Sequence, residues 1–343
     1  MRQLTKLAHI MLMERFVKDN NIPIKNSLNI NYFVAQLQAY DNLMNTDMYI
    51  RWVHLMQLVE GRFKSNVEAY LSEYTRVKEA AIEYIKNDKN YMAFNDEKVR
   101  QRTITTEKAD KIGENNIYKT TNVGKCLISF DIIKANFSIL KANGVFSGFN
   151  TWESFMRKYT DIDEIIKSKY IRQVILGNCN PKRQIKAEKE YMRKFTEYIL
   201  TKFERRGIMI KGLSLTNDEL VLEITEKLDD VASLAEEVLK ECEIPLRYDI
   251  FILHEIPILV KGKTERGYFK QFIRGETFKD KRKPNYDFKC FDRVYFSLLY
   301  ALKEQRAYTV DEMTIQTEYG EAVLKTAPQI DTSGKWYSVF MSS

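Results

Sequence analysis

The chain is predicted to be α+β: an antiparallel sheet with helices on one face, preceded by a helical N-terminal region. Three observations carry this. Residues 1–100 place apolar side chains at three- and four-residue spacings with few breakers. A short β-prone run, KCLISFDII, follows and ends near an acid. Further on, two β-like runs, GIMIKGLSL and ELVLEIT, flank the turn formers Thr216, Asn217 and Asp218. The resulting order of strand, helices, hairpin, helix and strands suits helices packed on one face of an antiparallel sheet.

The N-terminal helices are clearest in VAQLQAYDNLMNTDMYIRWVHLMQLVEGRF and NVEAYLSEYTRVKEAAIEYIKND, whose apolar stripes read as an internal core. The opening segment MRQLTKLAHIMLMERF has a short apolar stretch, broken by His9 and followed by Glu14 and Arg15. It reads as an amphipathic helix rather than a signal peptide. Residues 101–122 are polar and weakly periodic, the pattern of a linker or mobile loop. Residues 123–280 form the α+β layer. After its first strand come the helix-like ANFSILKANGVF and TWESFMRKY, then a strongly helical stretch over 161–206 broken at 177–184 by GNCNPKRQ. Beyond the hairpin, KLDDVASLAEEVLKECE has helical periodicity and RYDIFILHEIPILVKGK is extended and apolar. Residues 281–343 form a short C-terminal region, thumb-like or accessory, with one helical pattern in FDRVYFSLLYALKEQ. Asp161, Asp163 and Glu164 suit a helix N-terminus, where the dipole favours acids.

Of the 343 residues, 44% are hydrophobic and 29% charged, which places the chain among ordinary folded proteins. No apolar run approaches the ~20 residues that span a bilayer, so no membrane association is expected. Cys126, Cys179, Cys242 and Cys290 lie far apart without CxxC pairing, which disfavours zinc sites and a disulfide framework. A reducing compartment is expected: cytoplasmic, or the host cytoplasm if the source is a phage or other virus, and not secreted. His9, His54 and His254 are scattered and read as structural or surface residues, with no Ser-His-Asp or Cys-His companion motif. The net charge is +7, and Lys and Arg recur through 157–211 and 261–283, the clustering that a phosphate-neutralising surface needs.

Among the acids, Asp131 closes the first β-run and Asp218 sits in the hairpin turn, with Glu219 beside it. Nucleotidyl transfer to a 3′-hydroxyl uses two divalent cations ~4 Å apart, one at the attacking oxygen and one at the departing pyrophosphate. Magnesium takes few carboxylates and completes its shell with phosphate oxygens and water. One acid on a strand end and another in an adjacent hairpin turn would suit that requirement.

The surrounding residues resemble family B DNA polymerases over about 123–280. Asp131, Ser138 and Ile139 match the offsets of that family's first palm motif within Asp131-Ile-Ile-Lys134-Ala135-Asn136-Phe137-Ser138-Ile139. Lys169 and Gly177 match its fingers-helix motif, with Gln173 where the family has Asn. Thr216-Asn217-Asp218-Glu219 occupies the place of the Asp-Thr-Asp-Ser turn and keeps the second Asp. Lys261, Lys263, Arg266 and Tyr268 stand in the place of the basic primer-gripping segment.

The resemblance implies a polymerase-like palm with embedded fingers helices, working on a DNA or RNA primer/template with nucleoside triphosphates and Mg2+ (or Mn2+). It assigns the cations to Asp131 and Asp218, with Glu219 as a further candidate ligand. It puts the incoming triphosphate on Lys169, supported by Arg172, and the nascent pair against Gln173 and Gly177. Where the family's sugar-excluding Tyr stands, this chain has Asn136, with Phe137 beside it to take that role. Lys261, Lys263, Arg266 and Tyr268 would hold the primer backbone. No proofreading motifs precede the palm, which implies a reduced or split enzyme, alone or with other replication or transcription subunits. The competing expectation is an inactive, polymerase-like nucleic-acid-binding or assembly subunit, favoured by Thr216 in place of the first turn Asp. Gly262-Lys263-Thr264 has no Gly five residues before it and is not a Walker motif.

Overall fold

The computed structural model describes residues 4–22, 24, 30–44, 46–96, 106–260, 263–279, 286–289, 314–317, 320–323 and 329–330. The chain opens with five helices: α1 (Lys6–Asn20), α2 (Ile30–Met44), α3 (Met48–Gly61), α4 (Val67–Lys86) and α5 (Lys89–Asn95). Their starts follow from local chemistry. Thr5, Asn66 and Asp88 accept hydrogen bonds from backbone N–H groups of the first turns of α1, α4 and α5. On α4, Val67, Tyr70, Tyr74, Val77, Ala81 and Ile85 form a buried stripe at three- and four-residue spacing. Trp52 meets Phe16 and Phe33 edge to face, with ring centroids 5.4 and 5.1 Å apart, which ties α1, α2 and α3 together.

Residues 106–122 do not behave as the linker that their polarity suggested. They form a strap with two short 3-10 turns, Ala109–Lys111 and Thr120–Asn122. The Lys108 N–H donates to Glu197, Ser214 Oγ donates to the Asn115 carbonyl at 2.7 Å, and Ile117 is buried. Sparse but well-placed apolar residues hold the segment down.

The second part begins with β1 (Cys126–Ile132), followed by α6 (Ala135–Ala142), α7 (Trp152–Met156), α8 (Asp163–Ile166), α9 (Lys169–Gly177) and α10 (Pro181–Arg205). The break expected near 177–184 is narrower than its Gly-Asn-Cys-Asn-Pro composition suggested. Asn180 caps α10 and Pro181 opens it, the first-turn position where proline fits. Then come β2 (Ile210–Leu215), β3 (Glu219–Ile224), α11 (Leu228–Lys240), β4 (Leu246–Val260), β5 (Lys263–Gly275), α12 (Glu276–Lys279) and β6 (Tyr286–Lys289). A separate hairpin pairs β7 (Thr314–Thr317) with β8 (Gly320–Val323), and β9 (Gln329–Ile330) pairs with β4. The helical pattern at 291–305 lies outside the described residues.

The main sheet has the order β2-β3-β1-β4-β5-β6, and each neighbouring pair is antiparallel. Its first four strands, linked by α6–α10 and by α11, make two interleaved βαβ units, the split arrangement. Side chains alternate between faces. Ile128, Phe130, Ile132, Leu220 and Leu222 join the main core with α10 and α11 residues such as Phe195, Phe203 and Val231. Leu127, Val221, Phe251, Leu253, Tyr268 and Phe272 form a smaller cluster with Ile117. The chain leaves β5 through Gly275 at φ +112°, where a Cβ would collide with the Tyr248 carbonyl.

Candidate active site

The split topology decides which acids meet. β1 lies directly between β3 and β4, so Asp131 pairs across the sheet with Glu219 on one side and Arg247 on the other. Asp218 precedes Glu219, and its carbonyl accepts from the Ile132 N–H at 3.0 Å. The strand end and the hairpin turn are thus bonded neighbours. Asp131 is half-buried and Asp218 exposed.

Thr216 shapes the turn. Its N–H donates to the Glu219 carbonyl at 2.8 Å, and its hydroxyl oxygen accepts the Glu219 N–H at 3.1 Å. A threonine does here the structural half of what an aspartate could do in that place, without adding a carboxylate.

Electrostatics set the three acids apart. Burial pushes the Asp131 carboxyl up to about 6. The Arg247 guanidinium opposes that rise, while Glu219 and Asp218 add to it. Both Arg247 contacts, 2.9 Å from Nε and 2.7 Å from Nη2, fall on Asp131 Oδ2. Among the described residues no hydrogen bond falls on Oδ1. Glu219 receives the Lys270 ammonium at 3.2 Å. That lysine is itself buried, with Nζ 4.6 Å from the Phe251 ring centroid.

A fourth acid joins from α10. Glu188 is 5% exposed, and its Oε1 has no hydrogen-bond partner among the described residues. Burial, then the nearby charge of Asp218, pushes its carboxyl up to about 7. A buried acid with an orphaned oxygen costs stability, so it calls for a partner. Sequence reading missed Glu188, Arg247 and Lys270. Only the buried phase of Glu188 on α10, beside Ala187 and in step with Gln184 and Met192, offered a signal.

Asp131, Asp218 and Glu188 are the acids here that could lend oxygens to a divalent cation: among the described residues Asp131 Oδ1 and Glu188 Oε1 receive no hydrogen bond, and Asp218 is exposed. Among the described residues, no three His, Cys, Asp or Glu side chains form a group that could hold a metal ion. Magnesium, held by one or two carboxylates plus phosphate oxygens, does not require such a group.

The remaining expected residues divide. Lys169, Gln173 and Gly177 are exposed at four-residue spacing, on one face of α9. Arg172 is half-buried, and burial lowers its pKa against the attraction of Glu153. Glu153 binds the Lys134 ammonium at 2.7 Å, just past the end of β1, and its charge is felt at Arg172 on α9. Asn136 is half-buried at the start of α6.

Phe137 does not reach a nucleotide. It is 5% exposed and packs 4.9 Å from Phe146 and 6.0 Å from Trp152, because its helical phase turns it into the core. Tyr268 is likewise buried, in the small cluster near Tyr118 and Phe251, rather than open to a primer. Lys263 and Arg266 lie on β5 opposite Val260 and Pro257. Lys261 lies outside the described residues.

Comparison with protein-family models, curated proteins and solved structures finds no match. Among the described residues no helix is long and apolar enough to cross a membrane.

Proposed function

We propose that this protein is a template-directed nucleotidyltransferase, a reduced polymerase of family B type that extends a nucleic-acid primer. The single observation that carries the reading is the pairing of Asp131 with Glu219 across adjacent strands, with Asp218 at the turn beside them. Divalent cations bound there, Mg2+ or Mn2+, would activate the attacking 3′-hydroxyl and neutralise charge on the departing pyrophosphate.

The chain's own residues supply the rest. Asp131, at the end of a central strand, and Asp218, in the adjoining hairpin turn, would offer carboxylate oxygens. Arg247 holds Asp131 by one oxygen and counters the burial that would otherwise protonate it. Lys169 and Gln173, on the exposed face of α9, would meet a triphosphate and a base, while Gly177 leaves the end of that face without a side chain.

The test is extension of a labelled primer on a template with Mg2+ or Mn2+, comparing deoxy- and ribonucleotides. Extension is expected, and Asp131→Asn and Asp218→Asn are expected to lower it about 100-fold or more while primer binding persists. Absence of extension by the wild type would contradict the catalytic reading.

A second reading draws on the Arg247–Asp131 ion pair and on Thr216. A guanidinium already on one acid, and an uncharged residue at the start of the turn, suit an inactivated palm that binds nucleic acid or assembles with replication or transcription subunits. It gives salt-sensitive binding without incorporation.

A further inference from the structure

Helix α10 divides its basic residues into two groups. In its C-terminal half Arg193, Lys194 and Lys202 pair with Asp110, Glu190 and Glu241, and Arg206, at its C-terminal cap, pairs with Glu237. In its N-terminal half Lys182, Lys186 and Lys189 are all exposed, and no ion pair with another described residue holds any of them. Their spacing of four and three residues puts them on one face. They span about 10 Å along the axis, a length over which one strand of a duplex presents about three phosphates.

The surroundings add positive charge. Exposed Lys86, at the end of α4, lies close enough to Cys179 to oppose the burial that pushes its thiol up to about 11. The first turn of α10, whose Arg183 and Gln184 N–H groups are capped by Asn180, contributes the positive end of its dipole. Nearby acids are already engaged. Asp88 accepts the backbone N–H groups of Asn90 and Tyr91, Glu190 holds Lys194, and Glu188 is buried on the other side of the helix. The platform is also stiff: the Asn180 amide donates to Asn95 at 2.7 Å and Arg183 Nε to the Phe94 carbonyl at 3.0 Å, fastening the start of α10 to α5.

We infer that Lys182, Lys186 and Lys189 form a track for the phosphate backbone of a nucleic-acid strand, running along the outer face of the helix whose inner face holds Glu188 near Asp218. The inference deepens the proposed function and rests on it for the identity of the polyanion. Strand and acids would then sit about one helix diameter apart, ~10 Å, and α10 would join the binding surface to the reacting centre.

The experiment measures binding of a fluorescent single-stranded oligonucleotide and of a primer–template duplex across a salt series. The wild type is compared with the triple variant Lys182→Ala/Lys186→Ala/Lys189→Ala. The control is Lys194→Ala/Lys202→Ala/Arg206→Ala, which removes the paired cations. Removing three phosphate contacts lowers the slope of log K against log salt by about 2 for a single strand. That loss in the first triple, with a smaller one in the control, is the expected result. A wild type that binds while both triples keep its slope overturns the track and leaves the catalytic reading standing. A wild type that binds no oligonucleotide overturns both. Equal affinity for a polyglutamate peptide overturns the assignment to nucleic acid in favour of an acidic protein partner. Since all three lysines are exposed, folding of the triple is checked by its unchanged thermal midpoint. A shifted midpoint moves the test to the single variants, each expected to lower the slope by about 0.7.

Discussion

At Glu188, burial sets a carboxyl against its own charge. Its folded carboxyl sits at about 7 against an ordinary 4.5, because burial and Asp218 both disfavour its charge. A group raised on folding contributes stability fully below its unfolded pKa and loses it as pH rises through the folded value. Glu188→Gln removes the titration while keeping the shape. Urea unfolding at pH 8 should therefore show the variant more stable than the wild type, by up to about 3 kcal/mol. If Glu188 exists to face a cation, the same variant should need more Mg2+ for extension, on the order of 10-fold. A more stable variant with an unchanged Mg2+ requirement would reduce Glu188 to a structural imperfection.

At the scale of elements, α9 is the piece whose placement depends on distant chain. Ser168 caps it by accepting the Ile171 N–H at 2.9 Å, and donates its own hydroxyl to Asp19 of α1 at 2.7 Å. Tyr74 of α4 donates to the same Asp19 oxygen at 3.0 Å, and Arg15 lies over the Tyr74 and Tyr170 rings. The N-terminal helices thus hold the start of the helix that bears Lys169. Burial pushes Asp19 up to about 6, against the pull of Ser168, Arg15 and Tyr74. Its folded value lies above its unfolded one, so the native state holds the extra proton and stability falls as pH rises from about 4 through 6. Asp19→Asn keeps an acceptor for both hydroxyls and should flatten that fall, read as the difference in urea midpoint between pH 4.5 and 7. An unchanged slope would mean that Asp19 titrates as it does in the unfolded chain.

Elements of this kind were legible where the pattern was local. KCLISFDII and the Thr216-Asn217-Asp218 turn announced β1 and the β2–β3 hairpin, because strand alternation and turn chemistry act over a few residues. Register was not legible: what sets Asp131 against Glu219 and Arg247 is the packing of α6–α11 on one face of the sheet. Arg247 and Lys270 stand 116 and 51 positions from the acids they meet, and no short motif encodes such pairs. Phe137 was picked as the neighbour of Asn136 and Tyr268 by its place in the basic segment, whereas helical phase and strand face turned both into cores. The strap at 106–122 looked like a linker because Ile112 and Ile117 follow no period, yet Ile112 packs onto Gly212 and Ile117 into the small cluster.

Seen whole, the molecule places its candidate site at one end of a sheet. Helices cover one face, the strap and the small apolar cluster occupy the other, and the strand end and hairpin turn between them carry the acids. A net charge of +7 favours polyanions in general, but the two halves of α10 show that only part of that charge is left uncommitted. The central claim is that Asp131 and Asp218 hold the same metal centre. Fe2+ with ascorbate and peroxide, substituted for Mg2+, cuts the backbone beside a bound ion and reads this directly. The account predicts two cuts, near residue 131 and near residues 216–219, suppressed together by excess Mg2+ and by either Asp131→Asn or Asp218→Asn. Cleavage at only one of these places, or at neither, would contradict it.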